Sequence, residues 1–156
     1  MLRPYFEWMG ALPVSQAMNE SGWVVALIQS VHLLALVLLA GSLLIVDLRL
    51  LGRGLVDRPA ARLAESARPW LITGLVGLVV TGIPQLMSLA DKEYDNEYFW
   101  LKMYLLAAAL AFTVTVRRFA INAGDRVHPW VAGTVAVVSI GLWFGVAISA
   151  RLIGLF

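Results

Sequence analysis

Four stretches of the chain are apolar for about 20 residues each: Gly22–Val46, Trp70–Leu89, Tyr98–Val116 and Trp130–Ala150. A helix rises 1.5 Å per residue, so about 20 residues cross the ~30 Å hydrocarbon layer of a bilayer. The pattern therefore predicts four transmembrane helices. Polar and turn-forming residues separate them, and the boundaries carry their own markers. Pro69 and Pro129 stand at or just before a predicted helix start, and Trp23, Trp70, Trp100 and Trp130 lie where interfacial aromatic anchors belong. With no linker, low-complexity segment or internal repeat, residues 1–156 read as one all-α transmembrane domain, an up-down four-helix bundle.

Ahead of the first span, Tyr5, Phe6, Trp8, Met9 and Leu12 are interspersed with Arg3 and Glu7, and Pro13 interrupts them. This is the make-up of a short interfacial segment resting on the membrane, with a disordered tail as the alternative. A secretory signal, with a basic start and a continuous apolar run, is not present, so the segment is expected to be retained. Between the first two spans, Asp57 and Pro59 precede "AARLAESA", which reads as a short surface helix. The loop "ADKEYDNEY" is short and acidic, better suited to solvent than to a hard cation.

Charge sets the direction of the spans. Arg49, Arg53, Arg58, Arg62, Arg68, Arg117, Arg118 and Arg126 fall in the first and third loops, against Arg3, Lys92, Lys102 and Arg151 on the other side. The positive-inside tendency then places those loops in the cytoplasm and both termini outside. Composition agrees with the membrane: 60% of residues are hydrophobic, 14% are charged, and the mean hydropathy is +0.81. The net charge is only +2 and the arginines flank apolar runs, so nucleic acid is excluded as a partner. The lipid bilayer is the expected partner, with a homo-oligomer or a larger membrane complex also open. The chain has no cysteine, which rules out disulfides, thiolate metal sites and covalently attached haem.

Polar groups inside the spans are few, and each is costly enough to be a candidate for function. His32 lies ten residues past Gly22, roughly 15 Å into the first span, with Gln29 three residues earlier on nearly the same face. A neutral imidazole there can ligate haem iron or another metal, relay a proton, or bond to a neighbouring helix. His128, in "DRVHPW", belongs at the cytoplasmic mouth of the fourth span, a mismatch in depth of about 15 Å that disfavours the two histidines as a pair of ligands to one haem. Met87 and Met103 are predicted nearer the outer surface than His32 and read as packing. Lys102, one turn into the third span, either snorkels or pairs with Asp95 or Glu97, or else holds an anion or propionate on the His32 side. Asp47 and Arg49 read as a local ion pair. In "TGIPQ", Pro84 cannot bond to the carbonyl of Val80, and Thr81 and Gln85 are placed to serve the freed groups at a kink. Gly141, Gly145 and Ser149 form a small-residue face for close helix contact. No Gly-rich phosphate loop, HExxH, Ser–His–Asp set or pair of carboxylates within the spans is present, and no catalytic residue is assigned.

The segments "SGWVVALIQSVHLLALVLLAGSLLIVDLRLLG", "RPWLITGLVGLVVTGIPQLMSLADKEYDNEYFWLKMYLL" and "ARLIGLF" resemble a family of small bacterial inner-membrane proteins of unknown function. His32, Asp47, Arg49, Thr81, Gly82, Phe99, Lys102 and Arg151 occupy the positions that carry the likeness. The resemblance implies a bacterial inner-membrane protein, in which the outward termini expected from the charge pattern would be periplasmic. More loosely, a histidine in the first span and a lysine in the third are similar to the copper-resistance D proteins and to membrane-embedded protoporphyrinogen oxidases. That likeness implies haem b or another hydrophobic redox ligand at His32, with Gln29 and Lys102 beside it, serving electron transfer or sensing. The further histidines of the oxidase group are not present in this chain. The other expectation is a non-catalytic accessory subunit in which His32 bonds across helices.

Overall fold

The computed structural model describes residues 3–153, apart from the side chains of Asp91, Lys92 and Asp125. Lys92 in the charge comparison, Asp91 in the acidic loop and the last three residues of the closing motif therefore lie outside what is described. The chain forms α1 (Arg3–Gly10), α2 (Pro13–Glu20), α3 (Gly22–Leu50), α4 (Ala60–Ser88), α5 (Ala90–Tyr94), α6 (Glu97–Phe112), α7 (Arg118–Ala123) and α8 (Pro129–Ile153). A π-helical turn, Thr113–Arg117, joins α6 to α7 in one rod running from Glu97 to Ala123. That rod, α3, α4 and α8 are each long and apolar enough to cross a membrane, which suggests a multi-pass membrane protein.

Helix α3 is the hub. Its neighbours are α4 and α8, and α6 packs along α8 while placing Ala109 in the core beside Leu39 and Leu43. The contacting pairs run antiparallel: His32 meets Thr81 and Ala35 meets Gly77, while Asp47 meets Ser139 and Thr113 meets Trp143. What brings α3 and α4 together is glycine. A Cβ on Gly74 would stand 2.7 Å from the Leu39 nitrogen and 2.9 Å from the Ala35 carbonyl oxygen, so this crossing is built backbone against backbone. The Gly141 face expected to do this is open, with nothing within 4 Å of a Cβ there, and Gly145 meets only the Leu105 side chain. By contrast α4 and α6 do not pack closely along their lengths, and α4 reaches the third rod at α7.

Polarity is arranged inside out. Leu39, Leu43, Ala109, Trp143 and Val146 form the central core, but Ser42, Asp47, Thr81, Arg117, Ser139 and Ser149 are also buried. The outward positions are Leu33, Leu34, Val37, Val79, Val80, Ile83, Phe144 and Ile148. Such a continuous apolar exterior is far larger than a protein in water exposes.

One boundary differs from expectation. The predicted surface helix after Pro59 does not stand apart but is the first part of α4, so Pro69 lies inside a helix rather than at its start. The proline removes a bond to the Glu65 carbonyl, and Glu65 is exposed, so that carbonyl is not sealed in a core. Residues 3–20, expected as a short interfacial segment or else a tail, form two helices docked on α3, α4 and α5. Phe6 turns inward against Ala90 and Phe99, Ser15 is fully buried, and Tyr5 and Trp8 face outward. Together α1, α2 and α5 cap one end of the long helices. The acidic loop thus contains a helix, α5, and its Glu93 is buried.

Candidate functional site

His32 faces α4 near the capped end. Its Nδ1 lies 2.7 Å from Thr81 Oγ1, and the same hydroxyl lies 2.6 Å from the Gly77 carbonyl oxygen. A carbonyl can only accept, so the single hydroxyl hydrogen is spent on Gly77. His32 Nδ1 must then be the donor. In the neutral ring this fixes the tautomer and leaves the Nε2 lone pair free, with no hydrogen-bond partner among the described residues. Gly82 lies beside the ring's edge, where a Cβ would make ordinary contact with His32 Cε1 at 3.5 Å. A histidine whose second nitrogen donates to a fixed acceptor is the arrangement that orients imidazole metal ligands.

Around the ring the polar groups come from three more elements. Gln85 follows Thr81 by four residues on the same face of α4, and its Nε2 is buried without a hydrogen-bond partner. Neither it nor Thr81 serves the Val80 carbonyl freed by Pro84; the Thr81 hydroxyl turns to Gly77 instead. Lys102 on α6 is half-buried and forms no ion pair with Asp95 or Glu97; Asp95 pairs with Arg3 at 3.5 Å. The Lys102 charge does reach both His32 and Glu93. Gln29 is exposed and no hydrogen bond joins it to His32. Met103 is exposed, and Met87 contributes its carbonyl to Ser15 rather than its sulfur to any site. No group of three histidine, carboxylate or cysteine side chains that could hold a metal exists among the described residues. His32 is thus a single potential ligand. His128 is exposed at the other end of the bundle, accepting from the Trp130 N–H at the start of α8.

Glu93 on α5 is 9% exposed, and burial pushes its carboxyl up while the nearby Lys102 pulls it down by less. A carboxyl raised in the folded state keeps its proton to higher pH than in the unfolded chain. Its contribution is therefore greatest below the ordinary glutamate range and is lost as pH rises through the raised value. Glu93→Gln is expected to flatten that part of the stability profile, measured as unfolding temperature against pH in detergent.

A second polar cluster lies toward the uncapped end. Arg117 Nε donates to Asp47 Oδ1 at 2.7 Å, Arg117 Nη2 donates to the Leu43 carbonyl at 3.1 Å, and Ser139 Oγ donates to Asp47 Oδ2 at 2.7 Å. Asp47 is 1% and Arg117 4% exposed. The expected local pair with Arg49 is not formed; Arg49 Nε instead donates to the Arg58 carbonyl at 2.6 Å. Residues two apart project to opposite sides of a helix, so Asp47 points into the bundle while Arg49 points to the loop. Arg117 closes the π turn, a feature that often marks a functional or strained position. The cluster ties α3, the third rod and α8 together; Arg117, expected from the sequence in the third loop, is instead buried in the bundle, and Ser139 has no place in the sequence reading. The signal was weak: one serine in "VAVVSIGLW" and one of two adjacent arginines.

No curated protein and no solved structure matches the chain, so nothing found here ties it to the copper-resistance D proteins or to the protoporphyrinogen oxidases. A family model does match, over residues 5–156, nearly the whole length described above. The chain belongs to that family, a family of unknown function (DUF6644).

Proposed function

We propose that the protein is an integral inner-membrane protein in which residues 1–156 form one up-down four-helix domain, both termini face the periplasm, and His32 holds a membrane-embedded redox ligand. The observation that carries this reading is the fixed imidazole, with Nδ1 committed to Thr81 and Nε2 open. The ligand proposed first is haem b, which His32 Nε2 would hold. Lys102 is the nearby cation, and Met87, Met103 and His128 are not placed to help hold the group. A haem held this way would supply electron transfer or sensing of a small ligand at its open face. Protein prepared with haem available is expected to show a Soret band that is lost in His32→Ala; a colourless parent overturns the reading. Thr81→Val, which frees the ring without removing it, is expected to weaken haem binding about 10–100-fold, the usual cost of losing such a supporting contact.

A second reading, a non-catalytic accessory subunit, draws on the open α8 face at Gly141, Phe144 and Ile148, which no described element covers. It predicts a partner that co-purifies in fixed stoichiometry from mild detergent and a colourless protein.

A further inference from the structure

The surroundings of His32 contain donors with nothing to donate to. Buried polar groups are almost always paired, and among the described residues Gln85 Nε2 is the one buried side-chain nitrogen or oxygen left over. Lys102 offers three further donors and no acceptor, and has no carboxylate within ion-pair distance among the described residues. Glu93 is near enough to feel that charge, but burial pushes its carboxyl up and it forms no ion pair with Lys102. An unpaired ammonium and an unpaired amide together call for an anionic oxygen acceptor.

Access is the second observation. The capped end is shut: Phe6 packs on Phe99 and Trp100, Ser15 Oγ donates to the Met87 carbonyl at 2.6 Å, and Asn19 Nδ2 donates to the Ser88 carbonyl at 3.1 Å. The long helices pack closely along α3–α4, α3–α8 and α6–α8, leaving α4–α6 as the loose seam. Gln85 and Lys102 belong to the two helices of that seam. The lipid-facing sides of both helices are apolar, with Val80 and Ile83 exposed on α4 and Leu101 and Tyr104 exposed on α6, so the seam opens into surroundings fit for a chain rather than a free ion.

We propose that the seam between α4 and α6 admits, sideways from the bilayer, a membrane amphiphile with an ionised carboxylate head, which Lys102 and Gln85 bind beside His32. This rests on the reading of the His32 surroundings as a ligand site, but it concerns the head group and not the iron. The test is done without haem, so the two ideas fail separately. Stearic acid spin-labelled near its chain end and the methyl ester of the same label are compared by electron paramagnetic resonance, with purified protein in phosphatidylcholine bilayers. The readout is the motionally restricted fraction, taken where the acid is ionised. The acid is expected to be favoured over the ester by roughly tenfold, as for one well-placed charge interaction. Lys102→Met should bring the ratio to about one, Lys102→Arg should keep most of it, and Gln85→Leu should lower it. Arg126→Gln, exposed at the other end, should leave it unchanged. Equal restriction of acid and ester by the parent overturns the proposal, as does a preference that survives Lys102→Met in protein with parental unfolding behaviour. Displacement of the label by acetate at equal concentration would overturn the claim that the chain is part of what is recognised. A preference for the acid in protein that gives no Soret band would leave the head-group site standing and the haem reading lost.

Discussion

Asp47→Ala with Arg117 left in place is expected to cost about 3–5 kcal/mol of folding stability, measured as reversible unfolding in mixed detergent and dodecyl sulfate micelles. The loss exceeds that of an ordinary hydrogen bond because the variant strands a guanidinium in a nearly dry site. Arg117→Ala is expected to cost a similar amount for the mirror reason, leaving a carboxylate with only the Ser139 hydroxyl. The informative variant is the double one. Asp47→Leu with Arg117→Met removes both charges and fills the space, and is expected to recover more than half of either single loss. Single variants within about 1 kcal/mol of the parent would show that water or lipid head groups already serve the pair. A double variant as damaged as either single would mean that the network is needed for the fold to form at all.

The second large effect is expected at Gly74. The added methyl of Gly74→Ala would sit 2.7 Å and 2.9 Å from backbone atoms of Leu39 and Ala35, and backbone cannot swing aside as a side chain can. Overpacking in a well-filled core costs about 1–3 kcal/mol, and this site stands at or above the upper end because both partners are main chain. Gly74→Leu is expected to separate α3 from α4 and to abolish recovery of folded protein. Gly141→Ala is the matched control, since it enters open space on a helix and should be neutral or slightly stabilising. Comparable unfolding temperatures for Gly74→Ala and Gly141→Ala would show that the α3–α4 crossing is less tight than described.

These two sites also mark where the sequence could and could not be read. The four long helices were legible because hydrocarbon length imposes a run of about 20 apolar residues, a signal that survives ignorance of every neighbour. Partner choice has no such signal. Both "GLVG" in α4 and the Gly141/Gly145 spacing in α8 permit close approach, and only assembly shows that the first is used and the second left mostly open. In the same way, the acid at position 47 advertised a need for a cation without saying which. The neighbouring arginine was the wrong answer by helical geometry, and a π turn cannot be foreseen from 3.6-residue periodicity. At the candidate site His32 was conspicuous as a polar group in an apolar run. Its hydrogen bond to Thr81 was not, because it joins residues 49 positions apart. Glu93 was read as solvated because short acidic loops usually are; burial under α1 is what changes its chemistry.

The cap has a consequence for the order in which the protein is made. The segment carrying Ser15 and Asn19 leaves the ribosome some 70 residues before Met87 and Ser88, the carbonyls it will bind. Until α4 is in place these two small helices have no seat, and the end of α4 lacks partners for its last turn. Closure over His32 is therefore a late event in biogenesis, following the pairing of α3 with α4. The cap then shuts one end only, and the α4–α6 seam would remain the route by which a ligand enters or leaves.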